Sequence, residues 1–396
     1  MIRLTLKPGR EASVLRRHPW VFSGAVADAV GDGSDGVAEV VDAGGRFLAR
    51  GAFSPDSQIV ARLWTFEDRE IGAALFRERF TRARALRDRV VPAGTTGYRW
   101  IHSEGDLCPG LILDRYGETA VLDLLTGGVE RWEADLAEAV RDVFAPSRLH
   151  VRRSAAEHDR LSPVRTGAAA AGRETPASDL APFTEYNIKL VADVAGGQKT
   201  GFFLDQRENR ARLAALAAGR TVLNLFSYSG AFSTAALTSG ARRAVDVDAS
   251  EAALQLGAEI RRRNGLSADP ADFVRADVFD DLRRRTEAGE QWDIVISDPP
   301  PFARKRADVE RAARGYKDVN RLAMKLVAPG GLLLTCSCSG LVDANLFQKI
   351  VFAAGLEAQR SFALVARQGA GADHPVSLEC PEGEYLKGLW LERQDG

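Results

Sequence analysis

The stretch LNLFSYSGAFS, residues 223–233, decides the fold because it leads from a short apolar strand, through a loop with one glycine, into a helix. The same alternation continues downstream in ARRAVDVD, EAALQLGAEIRRR, WDIVISD and GGLLLTCSC. Short apolar strands separated by amphipathic helices are typical of a parallel sheet that is covered by helices on both faces. We therefore predict a doubly wound, Rossmann-like α/β domain over residues 191–396.

The loop after this first strand is the expected ligand site, because open α/β sheets bind ligands at the carboxyl ends of their strands. It contains only Gly230, whereas the G-x-G-x-x-G pattern of a dinucleotide site brings three glycines to a pyrophosphate. S-adenosylmethionine has no phosphate, so its methionine part suits a loop with a single glycine. The loop therefore favours S-adenosylmethionine over a dinucleotide as the cofactor.

Acidic residues after the next two strands extend the predicted cofactor site. Asp248 ends the second strand, where a carboxylate can accept hydrogen bonds from both ribose hydroxyls. Asp246 shares this face but lies deeper in the sheet, so Asp248 is preferred. Asp277 follows the third strand in FVRADVF and can reach the adenine amino group, although an aspartate there can also cap the next helix.

The fourth strand leads into WDIVISDPPPFARK, residues 292–305, which suggests the reaction site. Asp298 stands where a side chain projects from the sheet edge, and the three prolines after it hold the backbone stiff and extended. Phe302 then offers a flat surface for a base. The D-P-P-aromatic pattern is common in methyltransferases that act on planar nitrogenous rings. The alternative is a proline-rich turn with a solvated aspartate.

A pair of cysteines ends the fifth strand, GGLLLTCSCSG. Because side chains alternate along a strand, Cys336 and Cys338 point to one face and Ser337 to the other. We interpret Cys336 as a buried apolar residue and Cys338, nearer the strand end, as the nucleophile. A zinc site is not expected, because no second pair of ligands lies within reach in the sequence.

A nucleophilic cysteine indicates a particular reaction, because carbon-5 of cytosine cannot attack a sulfonium methyl group unaided. Addition of a thiolate to carbon-6 turns the ring into an enamine that accepts the methyl group at carbon-5. Asp298 would hold the ring nitrogen and the amine of the cytosine and stabilise the adduct. A methyltransferase that acts on an exocyclic amine needs no such cysteine.

The first half of the chain has a different pattern. Short β-rich runs with a hairpin turn at residues 42–45 predict a small barrel or sandwich over residues 1–70. Residues 70–91 predict an amphipathic helix whose arginines either form a solvated surface or contact RNA. Two strands around a Tyr116-Gly117 turn and a helix over residues 132–143 follow, and the composition of residues 162–182 predicts an exposed loop or linker.

Composition sets limits on partners and compartment. A chain of 396 residues with a net charge of −1 has no overall basic coat, so any contact with nucleic acid must use local positive charge. The sequence contains no long uncharged apolar run, so no membrane span is predicted. The first residues lack the apolar block of a signal peptide. Four cysteines do not make a disulfide framework, so a reducing, cytoplasmic location is expected.

Several strings, in the same order and at the same spacing, resemble the PUA-domain-containing large-subunit ribosomal RNA cytosine-5 methyltransferases. They are LKPGREASVLRRHPWVFSGAV, EGDLCPGLILDRYG, GQKTGFFLDQRENR, VLNLFSYSGAFS, SDPPPF, CSCSGL and the closing DHPV and CPEGEYLKGL. The resemblance runs nearly end to end. It implies a β-rich PUA domain for RNA over residues 1–70, a linker helix and small α+β middle domain over 71–190, and a class I methyltransferase domain over 191–396.

The same resemblance implies roles for individual residues. Cys338 corresponds to the catalytic cysteine and Asp298 to the acid of the D-P-P motif. No metal is implied. The implied cofactor-binding residues are Lys199, Phe203, Gln206, Phe226, Ser227, Tyr228, Ser229, Gly230, Asp248, Asp277 and Asp298. Related RNA cytosine-5 enzymes carry a second cysteine just after the aspartate, whereas this chain has Pro300 and Pro301, so product release must use another base or water.

Three hypotheses follow for the function. The leading one is methylation of carbon-5 of a cytosine in 23S rRNA, with the base taken out of its stack. In the second, the methyl group goes to a ring or exocyclic nitrogen and Cys338 only fills space. The third is a non-catalytic RNA-binding or assembly factor. The sequence leaves open whether the protein forms a homodimer.

Overall fold

The computed structural model describes residues 1–33, 36–154, 179–303 and 305–395. The chain divides into two compact units, Met1–Arg165 with Ala372–Glu384 and Thr166–Gly371 with Tyr385–Gly396. Within these described ranges, no helix is both long enough and apolar enough to cross a membrane. Most of the loop predicted at residues 162–182 lies outside the described residues, but its last three residues, 180–182, belong to the strand Leu180–Glu185, so the prediction is wrong at that end.

The first unit contains a six-stranded sheet in the order β2-β6-β5-β4-β1-β3 and a four-stranded sheet in the order β10-β9-β8-β7. The strand bounds are β1 (Ile2–Leu6), β2 (Trp20–Phe22), β3 (Val26–Val30), β4 (Val37–Val41), β5 (Phe47–Phe53), β6 (Ile59–Thr65), β7 (Gly97–His102), β8 (Leu111–Tyr116), β9 (Thr119–Leu124) and β10 (Arg148–Arg153). Strands β4 and β5 form the hairpin predicted around residues 42–45, and Asp42 accepts hydrogen bonds from the backbone of Gly44 and Arg46.

The helices of this unit are α1 (Ala12–Leu15), α2 (Ala73–Val90), α3 (Gly127–Glu130) and α4 (Glu133–Phe144). Three of them, α2, α3 and α4, pack onto both sheets through one core that is rich in aromatic residues, whereas Val14 of α1 packs in a separate apolar cluster. The ring of Trp64, on β6, lies 5.3 Å from that of Phe76 on α2 and 5.5 Å from that of Trp132. The β-rich segment and the predicted middle region therefore share a core within the first unit.

Helix α2 confirms the helix predicted over residues 70–91, but the expected role of its arginines is wrong at two positions. Arg79 and Arg87 are buried rather than solvated. Arg79 donates to two backbone carbonyls, and Arg87 forms a two-pronged pair with Asp106 at 2.6 and 2.7 Å. A guanidinium group can donate to several acceptors at once, so an arginine with such partners can be buried although it is charged. Counting charged residues along the helix does not reveal this.

The second unit contains a hairpin and a seven-stranded sheet. The strand bounds are β11 (Leu180–Glu185), β12 (Ile188–Asp193), β13 (Thr221–Leu225), β14 (Arg243–Asp248), β15 (Phe273–Arg275), β16 (Trp292–Ser297), β17 (Val327–Ser337), β18 (Phe362–Gln368) and β19 (Lys387–Arg393). The helix bounds are α5 (Arg207–Leu216), α6 (Ala231–Thr238), α7 (Glu251–Arg263), α8 (Val278–Glu287), α9 (Val309–Leu326) and α10 (Ala344–Ala358).

The large sheet has the strand order β15-β14-β13-β16-β17-β19-β18. Strands β13 to β17 run parallel to one another, which confirms the predicted doubly wound sheet. Strand β19 is antiparallel to both β17 and β18. The order along the chain reverses beside β13, because β14 lies on one side of it and β16 on the other. Such a switch point opens a crevice at the carboxyl ends of β13 and β16.

Apolar cores cover both faces of this sheet. On one face, Leu223 and Leu225 of β13 belong to a cluster with residues of α8, α9 and α10. On the other face, Val222 of the same strand packs with residues of α5 and α6. This alternation along a single strand shows why the strands are apolar on both sides. Residue 191, the predicted start of the last domain, falls inside β12, and the predicted three-domain division stays a prediction.

Candidate active site

The loop after β13 is held in a tight, unusual backbone conformation. Phe226, Tyr228 and Gly230 have positive φ angles of 56°, 47° and 66°. A Cβ atom on Gly230 would lie 2.8 Å from Oδ2 of Asp246, so a side chain would collide there. Glycine is thus required by the packing of the loop on its own sheet, which is a different reason from close approach to a ligand.

Two buried hydroxyl groups in this loop fit a polar ligand. Ser227 and Ser229 are buried, and their Oγ atoms make no hydrogen bond within the described residues. Buried hydroxyl groups without a partner are costly in a protein, and a ligand that supplies partners removes that cost. The residues of the loop therefore suit the polar methionine part of S-adenosylmethionine.

The two aspartates of β14 differ in burial and in hydrogen-bond partners. Asp246 is buried, and its carboxylate accepts hydrogen bonds from Asn224 and Ser233 and pairs with Arg261 at 2.7 Å. Asp248 is half-buried at the strand end and accepts hydrogen bonds from the backbone N–H groups of Tyr228 and Ser250, each at 2.8 Å.

Burial raises the pKa of Asp248 above its ordinary value, and these backbone hydrogen bonds oppose the rise. Its position fits the preference for Asp248 over Asp246 as the ribose ligand. The assignment itself stays a prediction.

Asp277 is exposed and caps a helix in this structure. Its Oδ1 atom accepts hydrogen bonds from the backbone N–H groups of Phe279 and Asp280, at the start of α8. This is the alternative role that the sequence left open. Contact between Asp277 and adenine stays a prediction, and it would have to use the other carboxylate oxygen.

The segment over residues 197–210, which only the family resemblance implicated, meets the loop after β13. The ring of Phe203 lies 5.4 Å from that of Tyr228, and the ammonium group of Lys199 lies 4.5 Å above the Phe203 ring. Lys199 also pairs with buried Asp205 at 2.5 Å, and the hydroxyl of Tyr385 donates to the same carboxylate at 2.7 Å. Sequence reasoning missed Asp205 and Tyr385, because the two are far apart in the chain.

Asp298 and Cys338 come together at the ends of neighbouring strands. Asp298 follows β16 and Cys338 follows β17, and both are half-buried. The Sγ atom of Cys338 lies 3.8 Å from the carbonyl oxygen of Pro299, the residue after Asp298. The two candidate catalytic residues are therefore neighbours at the carboxyl edge of the sheet.

Burial shifts both groups towards their neutral forms. It raises the pKa of Asp298 to about 7, with a further rise from Asp205 that Lys199 opposes. It also raises the pKa of the Cys338 thiol to about 12, with a further rise from Asp298, while Lys199 lowers it. At neutral pH the thiol is protonated and Asp298 is poised near its midpoint.

Cys336 lies on the same face as Cys338, as predicted, and is fully buried in an apolar cluster. Burial raises the pKa of the Cys336 thiol well above its ordinary value. Ser337 points to the other face, where it interacts with the hydroxyl of Tyr316. The alternation predicted from the strand period is thus confirmed.

Residues behind Cys338 were not predicted. Ser339 is buried, with its Oγ atom 2.9 Å from the hydroxyl of Tyr316, and its carbonyl oxygen accepts a hydrogen bond from Lys387 at 2.6 Å. The ring of Phe302 lies 4.6 Å from that of Tyr316 and is only partly exposed. The core therefore anchors Phe302, and its stacking on a base stays a prediction.

Within the described ranges, one group of three side chains places metal-ligating atoms together, and it lies in the first unit: His18, Cys380 and Glu382. The backbone N–H of Trp20 donates to Nδ1 of His18 at 3.2 Å, and Nε2 lies 3.5 Å from the Glu382 carboxylate. Both ring nitrogens of His18 therefore already have a neighbour within the protein.

Comparisons with known proteins identify the domains and the family of the chain. Residues 165–368 match the family described as S-adenosylmethionine-dependent methyltransferase, and residues 4–66 match the PUA-like domain. The ribosomal RNA large subunit methyltransferase I of Serratia proteamaculans is 44% identical over 391 residues, covering 98% of each chain. The protein of that name from Klebsiella pneumoniae is 42% identical over 390 residues, covering 98% of this chain and 97% of that one.

Solved structures show the same fold over the whole chain. A methyltransferase complexed with SAH has a TM-score of 0.83 at 24% identity, covering 99% of this chain and 100% of that one. A SAM-dependent methyltransferase from Streptococcus mutans has a TM-score of 0.82 at 23% identity, with the same coverage.

The sheet order and these matches define a class I S-adenosylmethionine-dependent methyltransferase with an N-terminal PUA-like domain. The chain belongs to the ribosomal RNA large subunit methyltransferase I family. Of the three hypotheses, the non-catalytic factor is therefore set aside.

Proposed function

We propose that the protein methylates carbon-5 of a cytosine in 23S ribosomal RNA, with Cys338 as the nucleophile and Asp298 as the group that holds the base. The observation that carries this proposal is the 3.8 Å distance from the Cys338 thiol to the carbonyl oxygen of Pro299, next to Asp298. The names of the relatives and the PUA-like domain support large-subunit rRNA as the substrate.

The proposed chemistry needs both side chains. The Cys338 thiolate forms a bond from Sγ to carbon-6 of the cytosine, and the ring electron pair moves to carbon-5. When bound, S-adenosylmethionine would supply an electrophilic methyl group to that carbon, with cleavage of its sulfur–methyl bond and release of S-adenosylhomocysteine. Loss of the carbon-5 proton to water or a base returns the electron pair to the ring and breaks the bond from Sγ to carbon-6. Cys338 leaves as a thiolate and is ready for another turnover.

Lys199 is the proposed partner of the thiolate. Lys199 lowers the pKa of the Cys338 thiol, which is about 12 with that effect included, so this cation favours the thiolate that the reaction needs. The pairing of Lys199 with Asp205 holds its ammonium group beside the loop that carries Tyr228. The proposal departs here from the sequence-based expectation, which gave Lys199 a role towards the cofactor.

The test is a covalent trap with RNA in which 5-fluorocytosine replaces cytosine. Fluorine at carbon-5 cannot leave as a cation, so methyl transfer should stall as a protein–RNA adduct that survives denaturing electrophoresis. We expect the adduct with the unchanged protein and none with Cys338→Ala. Cys336→Ala is the matched control, because that thiol lies on the same face but inside the core, and it should still form the adduct.

One observation favours methyl transfer to a nitrogen as the second candidate. A thiol pKa of about 12 is what a cysteine that only fills space would have. If Cys338→Ala retains full methyl transfer and no adduct forms with 5-fluorocytosine RNA, the nitrogen-directed reaction replaces the carbon-5 reaction. Mass analysis of the methylated nucleoside would then identify the atom.

A further inference from the structure

We propose that Asn209 and Trp390 are positioning residues that direct the carboxyl proton of Asp298 towards the substrate, by fixing the orientation of the Gln206 amide. This inference rests on the proposed function, in which Asp298 holds the target base. The family resemblance assigned Gln206 to the cofactor and gave no role to Asn209 or Trp390.

A chain of buried hydrogen bonds leads from the core to the site. Trp390 lies on β19, and its indole Nε1 donates to Oδ1 of Asn209 at 3.0 Å. Nδ2 of Asn209 donates to Oε1 of Gln206 at 2.7 Å. Trp390, Asn209 and Gln206 are all buried, with at most 2% of each exposed. The Gln206 side chain in turn hydrogen-bonds Asp298 and the thiol of Cys336.

The direction of these hydrogen bonds, from donor to acceptor, is set by Trp390 at the buried end of the series. An indole N–H can only donate, so Asn209 must present its oxygen to Trp390 and its amide nitrogen to Gln206. Gln206 then has its oxygen occupied and presents its NH₂ group to Asp298. A donor in the core therefore specifies a donor at the active site.

A donor facing Asp298 controls where the acid can carry its proton. The carboxyl oxygen next to Gln206 has to accept a hydrogen bond, so a proton on Asp298 must sit on the other oxygen. A neutral carboxyl with this orientation offers one donor and one acceptor, which matches the ring nitrogen and the amine of cytosine. With the opposite amide orientation, the proton would point at Gln206 instead.

Other charged and titratable groups also act on Asp298. Asp205 raises its pKa, whereas Lys199 and Arg210 lower it. The thiols of Cys336 and Cys338 face it from the end of β17. A substitution at Asn209 leaves all of these groups in place. Asn209→Asp also adds a negative charge that itself raises the pKa of Asp298, so an uncharged substitution is needed to isolate the effect of the amide orientation.

The test variant is Asn209→Asp, because a carboxylate can still accept from Trp390 but cannot donate to Gln206. The Gln206 amide should then rotate and present its oxygen to Asp298. We expect the Asp298 carboxyl to titrate about one pH unit higher, measured by carbon-13 NMR of aspartate carboxyl groups in the full chain without RNA. Asp298→Asn assigns the signal. Methyl transfer by Asn209→Asp should also fall about tenfold or more, with the affinity for S-adenosylmethionine unchanged.

Two further variants keep the test decisive. Asn209→Leu removes the amide and adds no charge, so it should lower thermal stability, release the Gln206 amide and raise the Asp298 titration by less than Asn209→Asp does. An unchanged titration in Asn209→Leu would assign the shift in Asn209→Asp to the added charge and would overturn the inference. Trp390→Phe keeps most of the packing and removes the donor, and should shift the titration by less than Asn209→Asp. Should Asn209→Asp fold and titrate like the unchanged protein, the inference is wrong even if the 5-fluorocytosine adduct forms. An absent adduct with a shifted titration would instead contradict only the proposed carbon-5 reaction.

Discussion

Asp246 and Asp248 lie two positions apart on β14 and have different hydrogen-bond partners. Asp246 faces three side-chain donors in the core, whereas Asp248 accepts hydrogen bonds from two backbone N–H groups at the strand end. We expect Asp248→Asn to weaken binding of S-adenosylmethionine about 10- to 100-fold, because a hydrogen bond to a charged group contributes about 1.5–3 kcal/mol. Isothermal titration calorimetry measures this directly.

The matched control is Asp246→Asn. It removes the 2.7 Å carboxylate partner of buried Arg261 and leaves the longer pairing with Asp272, at 3.6 Å, so it should lower the thermal unfolding midpoint and leave the affinity of the folded protein for S-adenosylmethionine unchanged. Equal losses of cofactor affinity in the two variants would contradict a direct ribose contact by Asp248.

The paired pKa values of Asp298 and Cys338 predict a specific pH dependence. Transfer that needs an ionised Cys338 and a protonated Asp298 should rise about tenfold per pH unit up to about pH 7. Above that pH, the gain of thiolate is cancelled by the loss of the acid, so the rate should level off. Single-turnover methylation from about pH 5.5 to about pH 9.5 reveals the break.

Asp298→Asn removes the titrating acid and tests the origin of that break. The variant should be slower at neutral pH, but its rate should continue to rise above about pH 7 because only the Cys338 thiol still titrates. A break that persists unchanged in Asp298→Asn assigns it to another group.

At the scale of elements, α2 is a buried support of the first unit rather than a solvated linker. Arg87 and Asp106 are both buried, and each relies on the other for charge compensation. Arg87→Met should destabilise the protein by about 3–5 kcal/mol, because it leaves a buried carboxylate unpaired. Urea unfolding of the first unit, followed by tryptophan fluorescence, measures the loss.

The exposed Arg82 on the same helix provides the comparison. Arg82→Met should change stability by no more than about 0.5 kcal/mol. The double variant Arg87→Met with Asp106→Leu should recover part of the loss, because it removes both charges. If the double variant is less stable than Arg87→Met alone, mutual charge compensation is not what holds the pair.

The elements that could be predicted are those whose own residues show which of their faces are buried. Strands β13 to β17 are apolar on both faces because helices cover both, and this pattern is visible in the residues themselves. Strand β19 was not predicted, because antiparallel pairing with β17 depends on where the chain returns and not on local pattern. The same limit applies to Asn209 and Trp390, whose hydrogen bond joins positions 181 residues apart. The cysteine pair was predictable because its geometry is local.

In the proposed function, the PUA-like region binds RNA and the methyltransferase domain binds the cofactor. The net charge is −1, so binding to phosphates has to use local positive charge. The PUA-like region, residues 4–66, offers exposed basic residues in the segment between β1 and β2, among them Lys7, Arg10 and Arg16. We infer that this segment binds the RNA backbone.

Reversal of charge at Arg10 and Arg16 tests that separation. The double variant Arg10→Glu with Arg16→Glu should bind a 23S rRNA fragment more weakly, and the slope of log affinity against log salt should fall by about one for each phosphate that the protein no longer neutralises. Its affinity for S-adenosylmethionine should stay unchanged, since the cofactor loop lies in the other unit. Lys349→Glu, an exposed reversal on α10, is the control and should leave the salt slope intact. An unchanged slope in the double variant would place the RNA-binding surface elsewhere on the molecule, because counterion release depends on how many phosphates the protein neutralises.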